Sequence, residues 1–339
     1  VLKGPAATAQ YGSRAANGAI VITTKSGMKE KGIGVTINSS ITWEKAGYYP
    51  DFQGVYGPGA DGGCAPYAFW RWKNMSAPEG FPAKPNGSRM SYGEAFSADK
   101  LRSQYNSYNR ETGEWTLTPF VYADDWFTGI METGVTYRNN VTINTNNGKG
   151  TSARLSVTDT RNNWILPNTG YNNQTVSFAV TNKMNKWIKF SARANYLHKA
   201  SDNLPVQGYS TQSPFYMLIW GNTNIHASDY RNEYFGGLCT EENFSGDRYD
   251  GKAMVQSMGN STPVNPYRQL YEATNAINKD RVYGNVALDI NLPVKGLTLN
   301  LRAGTDLSVD WRQQKKPFRS PGYMRGFYRE QNNRDIETN

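Results

Sequence analysis

Four tryptophans, Trp70, Trp72, Trp164 and Trp220, stand in stretches rich in Gly, Pro, Asn or Tyr. Exposed indoles offer flat apolar faces that stack on sugar rings or peptide side chains. These four are the candidates for contact with a ligand or a partner protein, although bulky residues in loops also pack on one another. Residues for covalent or acid–base chemistry are present but unpatterned. Glu241-Glu242 and the pair Asp247 and Asp250 have no base, nucleophile or second carboxylate at a telling spacing. The glycine-rich turns lack the strand–loop–helix setting and the Lys-Ser/Thr of a phosphate-cradling loop. His198 and His226 are the only histidines and stand alone. Neither has ligand-like spacing to the other or to the two cysteines, so no metal and no cofactor is expected. Cys64 and Cys239 leave both a disulfide and two separate thiols open. No catalytic residue emerges, and the chain is not expected to be an enzyme.

The elements that carry these residues are strands. From Gly32 onward, polar and apolar residues alternate with period two, the mark of a strand with two different faces. Leu297, Leu299, Leu301, Ala303 and Leu307 share one face, and Thr298, Asn300, Arg302 and Asp306 the other. Val286, Leu288, Ile290 and Leu292 similarly oppose Asn285, Asp289 and Asn291. Ile188, Phe190, Ala192 and Ala194 alternate with Lys189, Ser191, Arg193 and Asn195. Val176, Phe178 and Val180 alternate with Ser177, Thr181 and Lys183. Shorter versions lie at Ala153 to Val157, Tyr137 to Ile143 and Val35 to Ile41, making seven candidate strands. The chain contains no run of 18 apolar residues, so a helical membrane span is not expected.

Alternation suits a soluble sandwich as well as a membrane barrel, and the connections discriminate. Tight turns are predicted at Asn146 to Gly150, at Asn185-Lys186 and at Pro293 to Gly296. Between them come long loops, at about 44–134, 160–173, 199–280 and 310–339. Short turns alternating with long loops is how outer-membrane barrels are built, and sandwiches rarely carry loops of that length. One set of faces holds Arg154, Lys189, Arg193, Arg302 and Asp306, fit for a wet lumen. The other is nearly free of charge, fit for lipid, with Trp43, Tyr137, Tyr196 and Trp311 where an aromatic girdle would sit. The net charge of +9 is dispersed rather than clustered, so no nucleic acid is expected as a partner.

The opening segment is the most specific signal. Val1-Leu2-Lys3-Gly4-Pro5-Ala6-Ala7 leads to Tyr11-Gly12-Ser13-Arg14-Ala15-Ala16-Asn17-Gly18, and a β-branched run through Ala19 to Lys25 follows. This resembles the wording LKGPAA…YGSRAANGVIxITTK that closes the plug domain of SusC/RagA-type TonB-dependent outer-membrane transporters. Asp125-Trp126 and the residues after it are similar to the TDWxxxIF element before that family's second barrel strand, and read as a short helix with an Asp near its N-cap. The resemblance is dense at the plug end and patchy in the loops.

It implies an all-β fold: residues 1–28 as the C-terminal end of a plug, and 29–339 as the N-terminal part of a transmembrane antiparallel β-barrel. About 7 of about 22 strands would be present, open in this chain. Signal peptide, TonB-contact segment and most of the plug would lie upstream, and further strands downstream. The signature residues would be Gly4, Pro5, Tyr11, Gly12, Arg14, Asn17 and Gly18, with Arg14 and Asn17 as candidate contacts to the lumen wall or members of a plug-internal turn. The implied activity is TonB-dependent import of oligosaccharides or peptides across the outer membrane. TonB, a SusD-like surface lipoprotein and membrane lipid are the implied partners. Another outer-membrane receptor or porin, a soluble carbohydrate-binding or adhesin sandwich and a glycoside hydrolase are the alternatives.

Overall fold

The computed structural model of the protein describes residues 30–60, 63–64, 91–102, 116–206, 213–219, 221–235, 265–294, 296–316 and 327–338. Eleven further positions (9, 12, 15, 17–18, 104, 106–107, 112, 114 and 208) are described singly. Its frame is one antiparallel sheet. In chain order the strands are β1 (Gly32–Glu44), β2 (Gly59–Ala60), β3 (Gly63–Cys64), β4 (Ser97–Arg102), β5 (Thr118–Phe120), β6 (Gly134–Asn146), β7 (Thr151–Asn163), β8 (Gly170–Lys183), β9 (Ile188–Ser201), β10 (Asn275–Asn291), β11 (Thr298–Lys316) and β12 (Phe327–Thr338). Among the described residues three short helices sit between β9 and β10: α1 (Pro214–Ile219), α2 (Ala227–Phe235) and α3 (Pro266–Tyr271). The main sheet runs β1-β6-β7-β8-β9-β10-β11-β12, so from β6 onward each strand pairs with the next in sequence, and β1 pairs with β6 across the first long connection. β2 with β3 and β4 with β5 form two small hairpins inside the first long connection.

Register carries the expected two faces across the whole sheet. Val35 pairs with Ile143 and Ile143 with Leu155, then Leu155 with Phe178 and Phe178 with Ala194. Leu288 pairs with both Phe190 and Leu301. Among the described residues no second layer seals these side chains: Ile37 is 72% exposed and Leu301 51%. A sandwich would bury them, so the sheet is a single layer with open edges at β1 and β12 among the described residues. This is a portion of an antiparallel β-barrel that does not close.

The loop boundaries differ from the sequence reading. The connection expected over 160–173 is only 164–169, because β7 runs to Asn163 and β8 begins at Gly170. The expected loop 310–339 instead holds the end of β11 and all of β12, making eight strands where seven are predicted. The loop drawn at 199–280 likewise yields Lys199 to Ser201 to β9 and Asn275 to Asp280 to β10. The cause is common to all. Above Val157 and Val176 both faces are polar, as with Thr158, Asp159, Thr160, Arg161 and Asn162 on β7. β12 is polar almost throughout. Backbone ladder bonds persist there while the hydrophobic alternation that reveals a strand does not.

The buried core lies among the loops rather than under the sheet. Trp126, Phe127, Ile130, Leu166, Leu218 and Leu270 belong to one cluster joining the 122–131 segment, the 164–169 loop and the three helices. Phe52 closes it with rings 4.8 Å from Trp126 and 5.0 Å from Phe127. The helix expected after Asp124 is a run of turns, with one helical bond from Gly129 N–H to Asp125 O at 2.7 Å. No helix among the described residues is long and apolar enough to cross a membrane.

Candidate functional site

The described positions from 12 to 18 of the opening segment form a turn. Ala15 N–H donates to Gly12 O (3.1 Å) and Gly18 N–H to Ala15 O (2.9 Å). Gly12 (φ 73°) and Gly18 (φ 102°) adopt the left-handed conformation glycine tolerates best. Asn17 sits exposed in that turn. Gly4, Pro5, Tyr11 and Arg14 lie outside the described residues, as do Trp70, Trp72, Trp220 and Cys239. Cys64 belongs to β3, but its pairing with Cys239 also falls outside them.

Trp164 is described, and it stands where a site is built. It opens the 164–169 loop, packs against the loop core and lines a cavity of about 400 Å³ at the ends of β7, β8 and β9. The loop is closed by Thr169: its carbonyl accepts from Trp164 N–H (3.2 Å), and its hydroxyl donates to Leu166 O (2.7 Å). Asn168 takes a left-handed φ of 55°, which asparagine tolerates better than most residues. Gly170 then starts β8 so close to β7 that a Cβ there would lie 2.1 Å from Asn162 O. Asn168 and a second asparagine, Asn203, anchor the cavity wall. The amide groups of Asn168 and Asn203 both donate to Leu270 O, at 2.9 and 2.8 Å. Asn203 also accepts from Asn275 N–H (3.2 Å), and Ser201 donates to Gly170 O (2.5 Å). The strand ends and α3 are thereby locked together around an opening lined by Trp164, Tyr171, Asn163, Asn172, Asp202 and Glu132. One aromatic wall with amides and two carboxylates can stack a ring and hydrogen-bond hydroxyls or amides. It holds no nucleophile–base pair.

Tyr171 is shared with a second concavity of about 490 Å³ on the polar face of β1, β6, β7 and β8. Arg138, Thr160 and Asn173 line it, and Lys199 Nζ lies 4.7 Å from the Tyr171 ring centre. Farther across the same face three cations have carboxylate partners: Lys189 meets Asp289 at 3.4 Å, Arg281 meets Asp306, and Arg312 meets Asp310 at 2.8 Å.

The loops hold the other titratable groups. Burial in the core pushes the Tyr230 hydroxyl well above its ordinary value, so it stays neutral. The Arg102 guanidinium, bonding both oxygens of Glu94 at 2.6 and 2.9 Å, holds that carboxyl below its usual range against some desolvation. Asp124, Asp125 and His226 each bring one donor atom within 4.8 Å of the others. Asp125 is already engaged: Oδ1 lies 2.6 Å from His226 Nδ1, and Oδ2 accepts from Ala227 N–H (3.3 Å) at the first turn of α2. The capping role expected of an aspartate here exists, but it serves a helix about a hundred residues away.

Sequence reasoning nominated Trp164 but neither Tyr171 nor the asparagines. The run Pro167-Asn168-Thr169-Gly170 carries a turn signal, yet the partners at Leu270 and Asn275 could not be read from it.

No protein-family model matches the chain, and no curated protein matches it by sequence. Solved structures do. A chain of the RagAB peptide importer in its open-open state matches 100% of this chain with a TM-score of 0.64 and 18% identity. A chain of the same importer in its closed-closed state matches 97% with a TM-score of 0.55 and 19% identity. The chain spans about a third of the length of these proteins, 35% and 34% respectively. What they share with it, at such identity, is the fold.

Proposed function

We propose that the chain forms part of the wall of a SusC/RagA-like outer-membrane transporter that imports oligosaccharides or peptides in a TonB-dependent manner. One observation carries this reading: a single-layer sheet shows an exposed apolar belt on one face and a hydroxyl-, amide- and charge-bearing surface on the other. On β10 the belt runs from Ile290 to Val282. That stretch matches the roughly 9–11 residues a tilted strand needs to cross a bilayer core. Residues 1–28 are the end of the plug, with Gly4, Pro5, Tyr11, Gly12, Arg14, Asn17 and Gly18 as its signature. The rest is barrel and surface loops. Likeness to an importer of peptides favours peptides as cargo and a SusD-like lipoprotein as lid. Trp164, with Trp70, Trp72 and Trp220, supplies the aromatic contacts to cargo or lid, and no catalytic step is involved.

The test uses the full-length protein. It should require detergent or lipid to stay dispersed and should migrate differently on gels before and after heating, as folded barrels do. Cells carrying it should take up labelled oligopeptides or oligosaccharides only while TonB and the proton gradient are intact. A protein that is monomeric and soluble without detergent would sink the proposal.

A further inference from the structure

The polar face carries a row of cations in which Arg138 and Lys199 have no carboxylate partner among the described residues, while Lys279 faces Asp310. Arg138 pairs in register with Thr160, Thr160 with Asn173, Asn173 with Lys199, and Lys199 with Lys279. All five therefore stand at one level on the same side of β6, β7, β8, β9 and β10. Neighbouring strands are about 4.8 Å apart, so Arg138 and Lys199 are separated by roughly 14 Å and Arg138 and Lys279 by roughly 19 Å of backbone. Arg138 has no hydrogen-bond or ion-pair partner among the described residues, and the only carboxylate on the polar face of β1, β6, β7 and β8 is Glu44. Glu44 pairs with Gly134, four residues along the ladder and roughly 13 Å from the row. Lys199 and Lys279 stand directly opposite each other, a like-charge cross-strand pair that weakens a sheet. Asp310, next in line, is held by Arg312 of its own strand at 2.8 Å.

Two details indicate a ligand surface. The row borders the concavity of about 490 Å³ that Arg138 and Asn173 line. Asn173 Oδ1 is buried there with no hydrogen-bond partner, an acceptor left for a donor that the described residues do not supply. Three cations and an orphan acceptor at one height suit an extended chain bearing carboxylates and N–H or O–H donors.

Building on the import reading, we propose that Arg138, Asn173, Lys199 and Lys279 form a row that binds the carboxylates of acidic cargo on the polar wall. The importer thereby prefers acidic chains over neutral ones. Asp- and Glu-rich peptides and uronic-acid oligosaccharides share this chemistry.

Calorimetry on the detergent-solubilised full-length transporter with four probes tests it: a Glu-containing pentapeptide, its Gln counterpart, an oligogalacturonate and a neutral oligogalactoside. At least one acidic probe should bind about tenfold or more tightly than its neutral counterpart, an advantage that shrinks with added salt. The acidic probe that wins identifies the cargo source. Arg138→Gln and the double variant Lys199→Met/Lys279→Met should each remove most of that preference. The double variant should melt no lower than wild type, since a repulsive pair has been removed. Equal affinity for acidic and neutral probes would overturn the row while leaving the import reading standing. Absence of binding by all four would overturn both. A lowered melting temperature with unchanged acidic preference would assign the row to holding the protein itself together, and that too would refute the proposal.

Discussion

The loop cluster and the sheet below it solve the same problem in opposite ways. In the cluster, Ile130, Leu166 and Leu270 are each 1% exposed and Trp126 3%, enclosed by protein on every side as in any water-soluble domain. In the sheet, Ile33 is 76% exposed and Leu299 44%, and no element among the described residues covers them. Hydrophobic burial stabilises the first region from within. On the import reading, the second would have an apolar surrounding on one face and water on the other, while the backbone ladder supplies the bonds that lipid cannot. One chain thus carries a globular core and a single-layer barrel wall, joined through Asn168, Asn203 and Leu270.

That contrast can be broken in graded ways. Trp126→Ala should cost the cluster about 3–5 kcal/mol. It should expose the loops to protease while the heat-dependent gel shift of the sheet survives; simultaneous loss of both would show one cooperative unit. Leu301→Arg should cost about 2–4 kcal/mol when folding into lipid vesicles, because it places a cation at the centre of the apolar belt. Thr298→Arg, on the polar face, should fold with wild-type yield, and equal damage by both would erase the distinction between faces. Asp125→Ala should weaken the start of α2 by about 1 kcal/mol. Faster amide exchange at Ala227 to Tyr230, with the sheet unaffected, is the expected readout. The smallest effect is on pH. Because Arg102 lowers the Glu94 pKa, the pair stabilises the β4 hairpin above the ordinary carboxylate pKa of 4.5 and ceases to as pH falls through the lowered value. The exposed geometry limits this to under about 1 kcal/mol. Protection from exchange around Ser97 to Arg102, relative to the intrinsic rate, should fall below pH 4.5, and Arg102→Ala should weaken that pH dependence, leaving the part that Lys100 supplies at 3.2 Å.

The sequence made the same two regions unequally legible. Where one strand face is lipid-like, as at Leu297 to Leu307, alternation alone located the strand and its orientation. Where both faces turn polar, as at Asp159 to Asn163, the strand continued unseen, because its evidence lies in backbone bonds. The cluster was harder still: its apolar residues are scattered over segments as far apart as Phe52 and Leu270, and no short window contains the pattern. In the site, Trp164 declared itself by residue type. Asn168 and Asn203 did not, since their role is fixed by a carbonyl that each meets far along the chain. The alignment of Arg138 with Lys199 and Lys279 becomes visible only once the register is known.

Because side chains alternate with a period of two, the paired strands keep count of every residue. Removing Ser156 alone would rotate one end of β7, carrying Arg154 toward the oily side or Val157 toward the wet one. Outside β2 to β5 and the buried cluster, the connections at 45–133 and 202–274 keep no such tally. Divergence in length among related chains should therefore gather at that one end, leaving the opposite turns nearly constant. A graft or affinity tag inserted there would be tolerated where the same insertion in a ladder would not.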